Sequence, residues 1–249
     1  MQNNFNSLLK QVIKRSYGLY HYKHEAITIY LMAVVSFLVT PLFILLKFSA
    51  NLITVINFFV AIISLFLIFS LNSNLYIFGI LLYYINRILD FCDGNVARFN
   101  KKSTFYGRFL DAIVDIFFES LLLFSIHYYC YKIYSNELLF IFGSISSFFC
   151  VYGSCIADKY SSLARWSNDI NKKKIKPYLR KSINPRINFI FYDFYYLCLV
   201  STPFFVHDKN KFMLAVLLLT ISTFIFNIIN IIIHIIYAKK NLNKFAGDK

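Results

Sequence analysis

Four aspartates stand in one otherwise apolar stretch of the chain, Asp90, Asp93, Asp111 and Asp115. Asp90 and Asp93 are three residues apart, and Asp111 and Asp115 are four apart, so each pair shares one face of a helix. Carboxylates crowded into a region of low dielectric constant need compensating cations. The spacing therefore predicts two acidic helix faces that together form a metal site.

The residue types around these aspartates indicate which ion and which ligand the site takes. Carboxylate oxygens favour hard divalent ions such as magnesium or manganese, and Cys92 falls on a different helix face and is a poor ligand for them. Small residues at Gly94, Ala97 and Gly107 would leave a slot for a flat or bulky ligand. Arg98 follows at the aqueous rim and can clamp a phosphate. Metals, slot and clamp together indicate a nucleotide diphosphate.

The composition indicates an integral membrane protein that consists of helices. Hydrophobic side chains make up 58% of the 249 residues and aromatic ones 20%, which is more apolar surface than one soluble core can bury. The net charge of +14 comes from Lys and Arg clustered between apolar segments, so nucleic acid is not expected as a partner. The five cysteines lack paired spacing, and the polar N-terminus carries no cleavable signal.

Six apolar runs are long enough to cross a bilayer. They lie at about 52–70, 75–93, 108–131, 137–157, 188–206 and 212–237. An all-α protein of six transmembrane helices follows. We expect one domain over 1–249, with an N-terminal segment at 1–48, a six-span core at 50–238 and a basic tail at 239–249.

A seventh apolar run, 26–46, is assigned by the distribution of charge. With the N-terminus inside, all basic residues fall on the inner side except Arg87 within a span and Lys132, Lys209 and Lys211 outside. A crossing at 26–46 would move several of these charges outside. Because the run also carries polar residues and a helix-breaking Pro41, it predicts a juxtamembrane helix, interfacial or embedded, that lies against the bundle.

This topology brings the acidic pairs to one depth. The second span runs inward, so Asp90 and Asp93 fall near its inner end, and the third span starts at Gly107 on the same side. A shared cation cluster just inside the cytoplasmic face is the result that we expect.

The stretch resembles the CDP-alcohol phosphotransferases, membrane enzymes of phospholipid synthesis. It matches their pattern D-x2-D-G-x2-A-R-x8-G-x3-D-x3-D at every fixed position and gap, from Asp90 to Asp115. Asn51 and Thr54, at the start of the first span, are similar to the family's Asn-x-x-Thr.

The resemblance implies a role for each matching residue. Asp90, Asp93 and Asp111 would bind two divalent cations, magnesium or manganese, and Asp115 would be the catalytic base that also lies close to one ion. The CDP moiety would contact the remaining matching residues, Asn51, Thr54, Gly94, Ala97, Arg98 and Gly107. The resemblance also implies a homodimer.

The implied reaction is substitution at phosphorus with release of CMP. The commonest arrangement in the family transfers a phosphatidyl group from CDP-diacylglycerol to a small polar alcohol, with membrane lipids around an active site that faces the cytoplasm, here in a bacterial inner membrane. The reverse arrangement, from CDP-choline or CDP-ethanolamine to a lipid alcohol, shares the motif. Ile116 stands where several subfamilies place Lys, Arg or Ser, which leaves the acceptor open.

Three further polar groups are candidates outside the motif. Arg87, three residues before Asp90, could pair with it as a structural counter-charge. Arg165 and Asp193 are possible contacts of the acceptor, although Asp193 can equally serve as a hydrogen-bond link between helices.

Two other functions fit parts of the sequence. An intramembrane prenyltransferase is suggested by Asn86-x3-Asp90 and Asp111-x3-Asp115, but it leaves Gly94, Arg98 and Gly107 unexplained. A divalent-cation transporter would need acids along a path through the bilayer rather than at one face.

Overall fold

The computed structural model describes residues 2–15, 27–101, 105–171 and 185–242, and these residues form helices joined by short turns. In chain order the helices are α1 (Gln2–Arg15), α2 (Ile27–Leu45), α3 (Ala50–Phe69), α4 (Ser73–Phe99), α5 (Phe105–Tyr134), α6 (Glu137–Asn171), α7 (Pro185–Phe205) and α8 (Lys209–Leu242). The described residues contain no strand, which confirms the all-α class.

Polar caps and left-handed residues define the ends of the helices. Ser49 caps α3 by accepting from the Leu52 N–H at 3.2 Å, and Asn72 caps α4 through the Asn74 and Leu75 N–H groups. Lys47, Leu71, Lys101 and Ser135 have positive φ in the turns that follow α2, α3, α4 and α5. A left-handed residue just after a helix lets the chain turn within a few residues, and α3 then packs along α4, and α5 along α6.

Helix α4 contacts α1, α2, α3 and α7 and so holds a central position in the bundle. It runs unbroken for 27 residues, about 40 Å at 1.5 Å per residue. The apolar pattern predicted a span that ends near residue 93, but the helix continues to Phe99. Gly94 therefore does not interrupt it, and the whole first half of the acidic motif lies on one rigid element.

The main hydrophobic core takes side chains from α2 to α8, and an aromatic group within it lies at the end of α4 remote from the motif. The rings of Tyr76 and Tyr129 are 4.5 Å apart, and Phe212 of α8 packs edge-on against Tyr76 at 5.6 Å. The Tyr76 hydroxyl donates to Thr202 Oγ1 of α7 at 2.9 Å. Each buried phenol that has a partner in another helix lowers the cost of keeping a polar group in an apolar core.

Six helical segments in the described part of the chain are long and apolar enough to cross a membrane. They are Ile27–Leu45, Ala50–Phe69, Ser73–Phe99, Ala112–Tyr134, Glu137–Trp166 and Lys209–Asn241. The outward-facing side chains are apolar, with Phe66 and Phe204 75% and 78% exposed. Such a surface is stable only in contact with lipid, so the chain is an integral membrane protein.

This set differs from the expected spans at α2, which the charge pattern assigned to the membrane interface. The expected span at 188–206 forms most of α7, which packs along α8, but the side chains before Asp193 lie outside the described part, so the comparison does not cover this helix. Length and composition admit α2 as a span, and its placement at the interface stays a prediction.

The last residue of α1 and the turn after α2 lie at the same end of α4. The Arg15 guanidinium lies 4.9 Å from the centroid of the Phe99 ring, and the turn after α2 borders Ala97 and Asn100. Between these points α2 packs one face against the C-terminal half of α4, and the helix continues through Pro41, whose side chain is buried. Helix α2 thus packs against the bundle, and its assignment to the interface stays a prediction.

Candidate active site

The acidic site starts at a bond between α3 and α4. Asp93 is only 6% exposed, and its Oδ2 accepts a hydrogen bond of 2.6 Å from Thr54 Oγ1. Thr54 and Asp93, which the sequence assigned to one site, are therefore in direct contact. About 20 Å further along α4 the same two helices approach closely at Gly79, where a Cβ would lie 2.9 Å from the Ser64 carbonyl oxygen.

Helices α4 and α5 meet through an ion pair that includes Asp115. Arg87 Nη1 lies 2.8 Å from Asp115 Oδ1. The spacing along α4 suggested Asp90 as the partner of Arg87, whereas the structure joins Arg87 to the next helix. Arg87 thus acts as a structural counter-charge, as expected, but it pairs with Asp115, the expected catalytic base.

The same contacts fix the relative height of the two acidic pairs. Tyr76 faces Tyr129 at one end, and Arg87 faces Asp115 further along, so α4 and α5 run antiparallel. One and two turns beyond Arg87, Asp90 and Asp93 reach the height of the first turns of α5. Gly107 and Asp111 occupy these turns, although the Asp111 side chain lies outside the described part.

Arg98 lies over Gly94 on the surface of α4. A Cβ at Gly94 would stand 3.0 Å from Arg98 Nη2 and 3.1 Å from Nη1, so the guanidinium rests on the space that the missing side chain leaves. Arg98 Nη2 also donates to Asn95 Oδ1 at 2.9 Å. The glycine therefore sets the resting position of the arginine, a link that the motif's spacing alone did not reveal.

A cavity of about 500 Å³ opens between the start of α3 and the end of α4. Asn51 of α3 and Ala97 of α4, both expected to contact CDP, lie on its wall. The remaining lining residues belong to the turn between α2 and α3 or to the ends of the adjoining helices: Ile44, Lys47, Phe48, Ser49, Ala50 and Asn100. An exposed lysine and the N-terminal end of α3 give this cavity a positive border, which suits an anion.

The potential metal-ligand atoms at the site fit a hard divalent cation. Those that the motif supplies are carboxylate oxygens, and the Cys92 thiol is directed away, towards the Ser36 carbonyl oxygen of α2 at 3.6 Å. Among described side chains no group of three or more His, Cys, Asp or Glu lies close enough to hold an ion. That comparison does not include the Asp111 carboxylate, so the expected four-aspartate cluster stays a prediction.

The two residues expected to contact the acceptor, Asp193 and Arg165, lie in different surroundings. Asp193 accepts from the Ile27 and Thr28 N–H groups at 3.1 and 2.9 Å and from Thr28 Oγ1 at 2.8 Å, so it caps the start of α2. This is the interhelical link that the sequence offered as one of its two readings. Arg165 lies on α6 one residue after Ala164, which packs against α8. Contact of either residue with an acceptor stays a prediction.

Sequence reasoning missed the polar residues that α2 directs at the motif. Asn95 Nδ2 donates to Ser36 Oγ at 3.2 Å and to Thr40 Oγ1 at 3.4 Å, and all three residues are buried. Ser36 and Thr40 are four apart and so share a helix face, which was a readable signal. That this face meets Asn95 follows only from the packing of α2 on α4.

A comparison with models of protein families identifies the group to which this arrangement belongs. The model of the CDP-alcohol phosphatidyltransferase family matches residues 47–177, just over half of the chain. The chain belongs to the CDP-alcohol phosphatidyltransferase family. The matched region contains α3, α4, α5 and α6 and so every residue of the motif. No curated protein matches the chain in a sequence comparison.

Membership in the CDP-alcohol phosphatidyltransferase family makes the chain a transferase of substituted phosphate groups. Members move a phosphate-alcohol group from a CDP-alcohol to an alcohol acceptor in a membrane, in phospholipid biosynthesis, and generally depend on magnesium or manganese. The prenyltransferase and transporter readings do not fit this family.

Proposed function

We propose that this enzyme transfers the phosphatidyl group of CDP-diacylglycerol to the hydroxyl of a small polar alcohol and releases CMP, at a site that faces the cytoplasm of a bacterial inner membrane. The observation that carries the proposal is the shared wall of the cavity. Asn51 and Ala97, from two helices, border one space, and one turn further along each helix from the cavity Thr54 and Asp93 are hydrogen-bonded to each other.

Each side chain has a separate task in the proposed reaction. The cavity takes the cytidine nucleotide, and Arg98 contacts a phosphate oxygen. The acceptor hydroxyl is deprotonated by the Asp115 carboxylate, which the Arg87 ion pair holds in place. The hydroxyl oxygen forms a bond to the phosphorus that bears the alcohol, and the bond from that phosphorus to the CMP oxygen breaks with its electron pair.

Asp90, Asp93 and Asp111, with Asp115 nearby, are the residues that would hold two divalent ions. When bound, such ions neutralise the charge on the diphosphate and on the departing CMP. Thr54 contributes by fixing one Asp93 oxygen through a 2.6 Å hydrogen bond, which orients the carboxylate as a ligand.

The apolar surface beside the acidic turns supports a lipid substrate. Phe109, Ile113 and Phe117 follow one another at four-residue intervals on α5 and are 60%, 49% and 55% exposed. They form a stripe on the same two turns that carry Asp111 and Asp115. Acyl chains lying along this stripe would bring a diacylglycerol headgroup to the height of the aspartates.

The test is CMP release by the purified full-length enzyme in lipid nanodiscs with magnesium or manganese. CDP-diacylglycerol is supplied with glycerol 3-phosphate, serine, inositol or inositol phosphate, and CDP-choline or CDP-ethanolamine is supplied with diacylglycerol. Mass spectrometry identifies the lipid product. We expect CMP with CDP-diacylglycerol and one acceptor, abolished by Asp115→Asn and retained by Asp208→Asn, a matched change in an exposed turn.

Each alternative gives a different product in this assay. CMP formed only from CDP-choline or CDP-ethanolamine would replace the proposal with the reverse arrangement, in which the acceptor is the lipid. No CMP from either donor class, with the protein folded, would refute it.

A further inference from the structure

Asn95 occupies a position that the motif leaves unspecified, yet it lies between α2 and the motif's arginine. Its side chain is 1% exposed, and it contacts Ser36 and Thr40 on one side and Arg98 on the other. The polar relay is defined here as these four residues, Ser36, Thr40, Asn95 and Arg98.

The hydroxyl groups of α2 determine which way the Asn95 amide points. Ser36 Oγ donates its proton to the Ala33 carbonyl oxygen at 2.7 Å, and Thr40 Oγ1 donates to that of Ser36 at 2.6 Å. Each hydroxyl has one proton, so both can offer only lone pairs to Asn95. The amide NH2 must therefore face α2, and its oxygen must face Arg98.

This orientation matters for the arginine. The Asn95 oxygen accepts from Arg98 Nη2, while the surface of Gly94 supports the guanidinium from below. An amide turned the other way would present an NH2 group to a cation and repel it. Two contacts from different directions restrict a side chain that otherwise has many rotamers, and such restriction lowers the entropy lost on binding a ligand.

We propose that Asn95 is a positioning residue that holds Arg98 ready for a phosphate of the CDP donor, and that Ser36 and Thr40 of α2 set its orientation. This inference rests on the proposed function for the phosphate and extends it to a helix outside the region that the family model matches. It assigns α2 a role in substrate binding, although the helix supplies no residue of the motif.

The test is a double-mutant cycle on the affinity for CDP, measured by calorimetry with the full-length enzyme in nanodiscs with magnesium. Asn95→Leu keeps the size of the side chain but removes the hydrogen bonds, and we expect the Kd to rise about tenfold. In the Arg98→Ala background the same change should raise it less than about twofold, because the group that Asn95 positions is gone. Effects that simply multiply would overturn the proposal.

A second variant tests the relay with Asn95 and Arg98 both present. Ser36→Ala/Thr40→Val removes both acceptors without changing the shape of the core, and the Kd should rise about threefold. The single variant Thr40→Ser keeps both hydroxyl acceptors and should bind CDP nearly as tightly as the wild type. Ser64→Ala is the matched control, because it removes an equally buried bond between helices, from Ser64 Oγ to the Gly79 carbonyl oxygen. An unchanged Kd in the double variant would contradict the relay.

The outcome is distinguishable from failure of the proposed function. If the wild-type enzyme binds no CDP, the proposed function fails. The contact between Asn95 and Arg98 is then tested by the same double-mutant cycle with the thermal unfolding midpoint as the measured quantity. Non-additive midpoints for Asn95→Leu and Arg98→Ala would support the contact, and additive ones would overturn it.

Discussion

At the scale of single residues, the site consists of aspartates whose positions are fixed by uncharged or oppositely charged partners. Thr54 holds Asp93, and Arg87 holds Asp115. The aspartates were readable from the sequence because their spacing on each helix is regular. The Arg87 partner was not, since spacing reports neighbours on one helix, whereas the contact depends on how α4 and α5 are aligned.

The Arg87 ion pair predicts a defect in turnover. Arg87→Gln leaves Asp115 without the contact that places its carboxylate, and misplacement of a catalytic group by about 1 Å costs on the order of 10²-fold. We expect kcat to fall by about this factor while the Kd for CDP changes less than about threefold. Lys211→Gln breaks an exposed ion pair with Asp208 and is the control. Equal losses in the two variants would exclude the positioning role.

The Thr54 hydrogen bond predicts that this residue contributes to metal binding. Thr54→Val preserves the shape of the side chain but removes the hydroxyl that donates to the buried Asp93 carboxylate, and hydrogen bonds to charged groups contribute about 1.5–3 kcal/mol. We expect the magnesium concentration for half-maximal activity to rise about tenfold. Thr54→Ser keeps the hydroxyl and should stay close to the wild type. A normal magnesium dependence in Thr54→Val would count against Asp93 as a ligand.

At the scale of helices, two glycines of α4 have different uses. At Gly79 an added Cβ would meet Ile68 Cγ1 at 2.7 Å and the Ser64 backbone oxygen at 2.9 Å, which only a shift of α3 can relieve. At Gly94 it would meet the end of the Arg98 side chain, which can swing away. The first glycine therefore serves packing, and the second serves ligand binding.

Matched alanine variants separate these two uses. Gly79→Ala should lower the stability by about 1–3 kcal/mol, seen as a lower thermal unfolding midpoint, because two helices are overpacked. Gly94→Ala should leave the midpoint nearly unchanged and raise the Kd for CDP several-fold, because the guanidinium is displaced. The opposite pattern, with Gly94→Ala unstable and normal in binding, would remove the support for Arg98 as a phosphate contact.

Asp193 distinguishes a helix cap from an acceptor contact. Asp193→Asn weakens the bonds to α2, and Thr28→Val removes one of them without touching Asp193. If capping is the whole role, both variants should speed amide hydrogen exchange at the start of α2 and leave the KM for the acceptor unchanged. A rise in that KM in Asp193→Asn alone would instead support the acceptor role.

The helix positions were predictable to within about two turns except at the end of α6, which continues about four turns past the apolar run, and the reasons are physical. Hydropathy falls where charged residues begin, but the backbone hydrogen bonds of α4 continue to Phe99, and those of α6 continue to Asn171. Apolarity could not separate α2 from a span, because both bury one face and expose the other to lipid. Only the charge distribution distinguished the two, and the placement of α2 stays a prediction.

At the scale of the whole molecule, the sequence predicts which residues face the cytoplasm. Lys101, after α4, and Lys47, after α2, should lie inside together with α1, while Ser135, in the turn between α5 and α6, should lie outside. Single cysteines at these three positions and at Asn6, in a chain whose native cysteines are replaced, test this. A membrane-impermeant maleimide should label only Ser135→Cys in intact cells.

Inverted membrane vesicles should give the reverse result, with Lys47→Cys, Lys101→Cys and Asn6→Cys labelled. Labelling of Asn6→Cys and Lys47→Cys from opposite sides would mean that α2 crosses the bilayer, and the proposed orientation of the site would then be wrong.

The cap on α2 also bears on where this protein can be cut. Thr28 precedes residues 47–177 and Asp193 follows them, yet the two are hydrogen-bonded, so the segments before and after the matched region are in direct contact. A fragment trimmed to residues 47–177 would lack both of these residues and the polar relay from α2. It would also expose the faces that α7 and α8 cover. The part recognised by its motif is therefore not an excisable unit, and expression should begin from the full chain.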